Sequence, residues 1–394
     1  MSQTNRSAHI LIAGGGIGGM SAALGLLRAG FKVSLFEQAP ALGEVGAGLT
    51  VQPSATRAMD FLGLGKELRE LADLSLNPIV YHYKTGEAMS EFMGAGQTVD
   101  ENGVSWFHRI HRADFQSMLE RAIREVSTDT IHLGSRVARV EQDDHGASVM
   151  LENGAEVRGD IIIGADGVRS PIRGQLFDEA PPQFRGQVAY RFLVPMERVR
   201  DILGGRPAGT YIGPGCIFNR YPVRHDTILN CVGIVKTDGW KDEGWSTPAT
   251  REELHGQYAG WHESLTGLIE HAPSENLIKW ALYDREPLTQ WTNGRVTLLG
   301  DAAHPILPFL GLAGAMAIED AVVLARACAA SPDDLQAALH TYEKIRLPRT
   351  TDILINSRLQ GELYQDPDTD SFLSKKRPHT NPELYGYDPA TVAL

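Results

Sequence analysis

The residues best suited to chemistry in this 394-residue chain fall into three clusters of glycine and aspartate. The first is Gly14-x-Gly16-x-x-Gly19, placed where the apolar run His9 to Ala13 gives way to a stretch of helical period. Glycines at this spacing permit a tight turn, close backbone approach to a pyrophosphate and packing of helix on sheet, while the helix N-terminus stabilises negative charge. Glu37 closes the next strand, 21 residues after Gly16, where a carboxylate accepts both hydrogen bonds from an adenosine ribose and disfavours a 2′-phosphate. Gly15 and Gly18 inside the motif and Gln38 beside Glu37 complete this candidate dinucleotide site. The second cluster, Gly164-Ala-Asp166-Gly-Val-Arg-Ser170, ends an apolar run in an Asp-Gly turn, and alone it reads equally as an ordinary strand and turn. The third, Gly300-Asp301-Ala-Ala-His304-Pro305, repeats the Gly-Asp ending with a carboxylate able to accept from sugar hydroxyls. Pro308-Phe-Leu-Gly311-Leu-Ala-Gly314 then leads into a helix whose first N–H groups can face an anion.

These clusters need elements to hold them. His9–Ala13 and Lys32–Phe36 read as strands around a helix over Ser21–Ala29, a β-α-β unit capped by Gly30. Helical period recurs over Ser54–Leu62, Leu64–Leu71, Ala113–Val126, Ala313–Ala330 and Asp333–Leu347. Strands are expected at Arg136–Glu141, Ala147–Leu151, Asp160–Gly164 and Arg295–Leu299. From about Asn77 to His108 the text turns aromatic and Gly-studded. From Gln183 to Leu282, the strands Val188–Val194, Tyr211–Ile212, Cys216–Pro222 and Ile228–Val235 alternate with turn clusters, which predicts a second, antiparallel unit. The tail from Gln365 to Leu394, rich in Pro, Asp and Tyr, is expected to wrap the surface.

Composition removes several function classes. With 37 Lys+Arg against 49 Asp+Glu the net charge is −12 and the pI about 5.6, which argues against a nucleic-acid partner needing a basic face. The three cysteines, Cys216, Cys231 and Cys328, lack C-x-x-C spacing and cannot all pair, so neither a zinc site nor a disulfide framework is expected. No metal is expected at His108 and His111 either, since histidines three apart beside Arg109 and Arg112 suit a polar strand or helix start. The opening MSQTNRSAHI lacks the pattern of a signal peptide, and the uncharged stretch Ala8–Leu27 is read as strand, turn and helix instead of a membrane span. A cytoplasmic protein without a membrane partner is the expectation.

The order GxGxxG, GADGxxS, GDAAHP, with Gly43-Glu-Val-Gly-Ala-Gly-Leu-Thr50, Pro53, Arg112-Ala-Asp-Phe, Ala189-Tyr-Arg-Phe, Tyr221-Pro-Val and Ala317-Ile-Glu-Asp-Ala321, resembles the class A flavin-dependent aromatic hydroxylase family. That family includes salicylate hydroxylase, 3-hydroxybenzoate 6-hydroxylase and 6-hydroxynicotinate 3-monooxygenase. The resemblance implies an α/β (α+β) fold: a Rossmann-like FAD-binding domain of the p-hydroxybenzoate hydroxylase type, an inserted antiparallel β-sheet substrate domain, and a helical C-terminal segment. The expected division is 1–76, 109–182 and 283–350 for FAD, 77–108 and 183–282 for substrate, and 351–394 for the C-terminal helix and tail. It implies FAD as cofactor, with Glu37 on the adenosine ribose, Arg112 near the pyrophosphate and ribityl chain, Asp301 on the ribityl and pyrophosphate region, Asp166 linked to FAD and to NAD(P)H, and Gly311 to Gly314 beside the pyrimidine ring. NADH or NADPH would act as transient co-substrate, because no second GxGxxG is present for a nicotinamide domain. O2 would add at flavin C4a, and an electron-rich ring would attack the distal oxygen of the hydroperoxide, in a site kept free of water.

For the substrate, Arg191, Arg220 and Tyr221 on predicted strands are candidates: Arg220 to pair with a carboxylate, Tyr221 to exchange a proton with a ring hydroxyl. Each also reads as a solvated strand residue, Tyr221 as a core tyrosine, and Arg191 as an ion-pair partner. Pro308 is expected to shape the pocket opposite the flavin, and His304 to be structural. Where 6-hydroxynicotinate hydroxylases carry histidines this chain has Thr50 and Phe309, and the usual Gln-Gly before the helix is Leu312-Ala313. Thr50 and Phe309 thus become substrate-side candidates, and 6-hydroxynicotinate is disfavoured. Three readings follow. The first is a monooxygenase, monomer or homodimer, hydroxylating a small aromatic or heteroaromatic acid or phenol, with decarboxylation where the attacked carbon bears a carboxylate. The second is an epoxidase or hydroxylase of a larger apolar molecule, favoured by Leu307, Phe309, Leu310 and Leu312. The third is a flavin-binding protein without turnover.

Overall fold

Ile10, Leu11 and Ile12 have no exposed surface, so the strand His9–Ala13 must lie in the middle of a sheet covered on both faces. The computed structural model, which describes residues 7–43, 48–74, 79–91, 107–240, 247–375 and 382–394, places it there. Parallel neighbours flank it, Lys32–Phe36 on one side and Ile161–Gly164 on the other. Outward from these lie Ile131–His132 beyond Lys32–Phe36, and Val296–Leu298 beyond Ile161–Gly164, with the short antiparallel Thr292–Asn293 at that edge. Helix Ile17–Arg28 packs against helices Arg112–Val126 and Ala313–Ala330.

This strand order brings the three clusters together. Parallel strands all end at one edge, and His9–Ala13, Ile161–Gly164 and Val296–Leu298 are adjacent, so Gly14, Asp166 and Asp301 emerge side by side. The expected membrane-span imitation at Ala8–Leu27 is a strand and a helix. Among the described residues no helix is long and apolar enough to cross a membrane.

The second sheet has eight strands in the order Thr247–Pro248, Ile278–Asp284, Gln183–Pro195, Ile228–Lys236, Cys216–Val223, Gly209–Gly213, Ile79–His82 and Ala88–Glu91. It departs from the antiparallel expectation at one pair: Gly209–Gly213 runs parallel to Ile79–His82, strands remote in sequence that no hairpin connects. One face packs, through Phe192, Phe218 and Leu229, on two helices, Arg251–Gln257 and Glu263–Glu270, where only strands and turns were expected. The other face meets Leu307, Phe309 and Tyr364.

A third, three-stranded sheet joins Gly48–Val51, His108–His111 and Asp73–Leu74. The strand His108–His111 crosses the boundary expected at 108/109, and Ile278–Asp284 crosses that at 282/283. The helix expected over Asp333–Leu347 runs from Leu335 to Tyr364, straight through Pro348 and past the 350/351 boundary. Pro348 cannot donate its backbone bond, and Arg346, two residues before it, is anchored to Glu319 and Asp320 of the neighbouring helix. The motif segment 44–47 and the stretches 75–78, 92–106 and 376–381 lie outside the described residues.

Candidate active site

A cavity of about 440 Å³ runs from the first glycine turn to the large sheet. At its cofactor end the glycines differ in what they are for. Gly14 has φ +107°, and a Cβ there would lie 2.2 Å from the Ala165 carbonyl oxygen, so the first and second clusters touch through a position only glycine can fill. A Cβ on Gly19 would fall 2.0 Å from the Gly14 oxygen, and one on Gly18 2.6 Å from Leu299 Cδ2. Gly16 is different: nothing lies within 4 Å of its would-be Cβ, and it caps helix Ile17–Arg28 with no side chain bonded to the first-turn amides. Open space beside unfilled N–H groups is the geometry a phosphate needs, so this end fits a dinucleotide.

Glu37 holds the turn from the other side. Its Oε2 accepts from Gly15 N–H at 2.7 Å and its Oε1 from Ala39 N–H at 2.8 Å, and each oxygen keeps a lone pair for a ribose hydroxyl. Gln116 adds a bond from Nε2 to the Gly15 carbonyl at 3.2 Å. Gln38 is exposed and outside the cavity lining. Asp166 also lies behind the lining, which Ala165 and Gly167 form in its place. Its Oδ2 accepts from Ile172 N–H at 3.3 Å, Oδ1 is buried without a partner, and burial pushes the carboxyl up to about 6 against the pull of Ser170 and the Ile172 amide.

Arg112, the first residue of its helix, and Asp301 line the cavity midway. The turn carrying Asp301 is fixed by an ionic cluster buried under it. Asp320 Oδ2 accepts from Gly300 N–H at 3.1 Å and meets His304 Nε2 at 2.6 Å, while Arg346 Nε reaches Asp320 Oδ1 at 2.7 Å and Arg346 Nη1 reaches Glu319 Oε2 at 2.6 Å. Burial alone would push the Asp320 carboxyl up, but His304 and Arg346 outweigh it and hold it below the ordinary range. His304 therefore acts on the turn from outside the cavity. Asp301 itself opens to the cleft, and the protein around it raises its carboxyl despite His304 and Arg112.

The turn Pro308–Leu310 ends on Gly311 at φ +64°, with Gln52 Nε2 donating to the Leu310 and Gly311 carbonyls at 3.3 and 3.2 Å. Helix Ala313–Ala330 starts just beyond, its first amides without a side-chain cap, and a Cβ on Gly314 would lie 2.9 Å from Leu49 Cδ1. Pro308, Gly311 and Gly314 all line the cavity, offering a second helix N-terminus to it.

At the far end strand alternation decides which candidates take part. Ile217, Asn219 and Tyr221 face the cavity, and so do Asn230, Val232 and Ile234 on the neighbouring strand. Arg220 alternates to the opposite face, where Nη1 donates to the Arg206 carbonyl at 2.8 Å and the guanidinium lies over Tyr81 and Tyr211. The structure thus separates Arg220 from the cavity, and a substrate carboxylate cannot be assigned to it. Arg191 does line the cavity, stacked on Trp280 at 4.5 Å. Thr50 bonds to Tyr221, whose hydroxyl is raised by burial against the opposing pull of Arg109, Arg191 and Thr50. Phe309 forms apolar wall, packed so close to the 335–364 helix that a Cβ on Gly361 would be 2.5 Å from its ring.

Among the cavity residues that escaped the sequence reading are Arg109, Gln52, Trp280 and Asn230, whose Oδ1 accepts from Gly48 N–H at 2.8 Å while its Nδ2 is buried with no described partner. For Arg109 the signal was present, since the His-Arg-Ile-His alternation turns it to the side opposite the core residue Ile110.

Comparison with known proteins agrees with this geometry. The family described as FAD binding domain matches residues 7–357. A 3-hydroxybenzoate 6-hydroxylase of Polaromonas naphthalenivorans (strain CJ2) is 35% identical over 365 residues, 92% of this chain and 90% of that protein. An aurachin C monooxygenase/isomerase of Stigmatella aurantiaca is 36% identical over 364 residues, 90% of this chain and 89% of that protein. Among solved structures, Klebsiella pneumoniae HpxO complexed with FAD and uric acid superposes with a TM-score of 0.80 at 28% identity, covering 93% of this chain and 91% of that one. The matches run along nearly the whole length, and the chain belongs to the FAD-dependent class A aromatic hydroxylase family.

Proposed function

We propose that this FAD-dependent monooxygenase hydroxylates a small aromatic or heteroaromatic ring, a hydroxy- or amino-substituted acid or phenol, held against Tyr221. The observation that carries the reading is the continuity of one cavity from the Gly16 helix N-terminus, past Asp301 and the Gly311–Gly314 turn, to Tyr221. Gly14 to Gly19 and their helix would hold the pyrophosphate of FAD, Glu37 the adenosine ribose, Arg112 and Asp301 the chain between, and the amides at Gly311–Gly314 the flavin ring. Bound there, FAD would supply the redox chemistry, namely acceptance of a hydride from NADH or NADPH and transfer of one atom of O2 to the substrate.

The protein's own part is binding, orientation and exclusion of water. Tyr221 directs the substrate hydroxyl and exchanges its proton, with Thr50 as the next member of the relay. Pro308 and Phe309 close the wall opposite and keep the site dry. Arg191 on Trp280 supplies positive potential at the rim. The parallel-sheet unit would hold FAD and the eight-stranded sheet the substrate, the chain acts as a monomer or homodimer, and three cysteines without C-x-x-C spacing support a reducing compartment such as the cytoplasm.

A larger apolar substrate is the second reading. It is favoured by the apolar lining of Ile217, Val232, Ile234, Phe309 and Leu310, and by similarity to a protein named aurachin C monooxygenase/isomerase. The test is NADH and NADPH oxidation by the purified yellow protein against hydroxybenzoates, aminobenzoates, hydroxypyridines and apolar phenols, following peroxide and product mass together. One small ligand that speeds oxidation and yields a product heavier by one oxygen, or its decarboxylated counterpart, supports the first reading. Stimulation by apolar phenols alone favours the second, and no stimulation by any ligand overturns the first.

A further inference from the structure

Arg109 is a buried cation that makes no ion pair with any described residue. It sits in the middle strand of the three-stranded sheet, 4% exposed, on the cavity wall beside Tyr221, with its guanidinium 4.8 Å from the centre of that ring. Its Nε is buried with no acceptor, and no described carboxylate forms an ion pair with it. Asp73, opposite Arg109 in the sheet register, is the carboxylate in electrostatic reach, and its two oxygens accept instead from the backbone N–H groups of Asp226 and His225, both at 3.0 Å. Burial lowers the guanidinium only to about 10, so it remains charged at neutral pH. Enclosing a charge that is not paired costs several kcal/mol, and Arg109 lines the cavity, from which an anionic ligand can reach it.

We propose that Arg109 is the receptor for a carboxylate on the substrate, and so selects aromatic acids over neutral phenols and apolar molecules. This rests on the monooxygenase reading of the same cavity and names its substrate class. A guanidinium fork matches a planar carboxylate with two parallel bonds, a match that a neutral hydroxyl or a hydrocarbon cannot make. Since Arg109 and Tyr221 adjoin, one small ring can present its carboxylate to the first and its hydroxyl to the second. Arg191, held on Trp280 at the same end of the cavity, adds to the positive potential an acid would meet.

The experiment titrates the FAD-loaded protein with matched pairs, 3-hydroxybenzoate against 3-hydroxybenzyl alcohol and salicylate against salicyl alcohol, reading the flavin absorbance. Wild type, Arg109→Lys and Arg109→Gln are compared, with FAD content measured in each. The wild type is expected to bind the acid of each pair about 100-fold more tightly, Arg109→Gln to erase most of that ratio, and Arg109→Lys to restore part of it. Equal binding of acid and alcohol by the wild type overturns the inference without recourse to any variant, which covers a Gln variant that does not fold. An unchanged ratio in Arg109→Gln, or a loss confined to FAD content, also overturns it. If the alcohols bind and are hydroxylated while the acids are not, Arg109 is misassigned but the monooxygenase reading stands. If no member of any pair perturbs the flavin or stimulates NADH oxidation, both fall.

Discussion

Asp166 makes the stability of the protein depend on pH. Its carboxyl moves from an ordinary 3.8 to about 6 because burial penalises the charged form more than Ser170 and the Ile172 amide favour it. A raised carboxyl contributes stability that is complete below 3.8 and is lost as pH rises through about 6. The difference corresponds to about 3 kcal/mol once the group is fully ionised. Replacing Asp166 by Asn keeps the shape and the acceptor for Ile172 N–H, and removes the titration. The perturbation is therefore Asp166→Asn, and the assay is urea denaturation of flavin-free protein by tryptophan fluorescence. From about pH 5 to about pH 8 the variant should gain about 1.5 kcal/mol relative to wild type, the part of the change that falls in that window. Stability curves that stay parallel over this range, or a gap that widens toward acid, would refute the claim that Asp166 is held as a costly buried charge behind the cofactor site.

The other predictions concern the turn, the relay and the buried cluster. Gly16→Ala should melt with the wild type yet bind FAD more weakly, since its Cβ enters open space at the helix N-terminus; Gly19→Ala, whose Cβ meets the Gly14 oxygen at 2.0 Å, should lose stability as well, by about 1–3 kcal/mol. Thermal melts and flavin titration separate the two outcomes. Tyr221→Phe should keep FAD and substrate-stimulated NAD(P)H oxidation but form product about 100-fold more slowly, with the electrons appearing as peroxide. Arg346→Met leaves Glu319 paired with Arg349 alone and Asp320 with His304 alone and should cost about 3 kcal/mol, measured by denaturant unfolding, with loosening of the Gly300–Asp301 turn and weaker FAD binding.

Local patterns were legible where the residue types admit one reading. The glycine turn, Glu37 and the strands His9–Ala13 and Lys32–Phe36 stand where spacing and apolar run put them, and Ala313–Ala330 matches its helix end for end. What escaped was set by tertiary context. The strand Cys216–Val223 is buried on both faces, so its sequence carries no polar-apolar contrast to show that Tyr221 faces the cavity and Arg220 does not. The parallel pairing of Gly209–Gly213 with Ile79–His82 depends on which distant strands meet. The helix Arg251–Gln257 did announce itself, because Thr250 caps the Glu253 N–H at 3.0 Å in a Thr-x-x-Glu box, a signal hidden among turn residues. The helix expected to end at Leu347 continues through Pro348 to Tyr364. Arg109 reads as one more polar strand residue, because the His-Arg-Ile-His alternation sets which side it takes but not that this side is buried.

The central claim is that this chain inserts an oxygen atom from O2 into a small aromatic ring bound beside Tyr221. The most direct measurement supplies isotopically heavy O2 to the purified FAD-loaded protein with NADH or NADPH and the most stimulating ligand of the panel, and reads the product mass. The expected product carries one heavy oxygen atom, at a yield approaching the NAD(P)H consumed. A product whose new oxygen comes from water, or reducing equivalents recovered entirely as peroxide with every ligand, would contradict it.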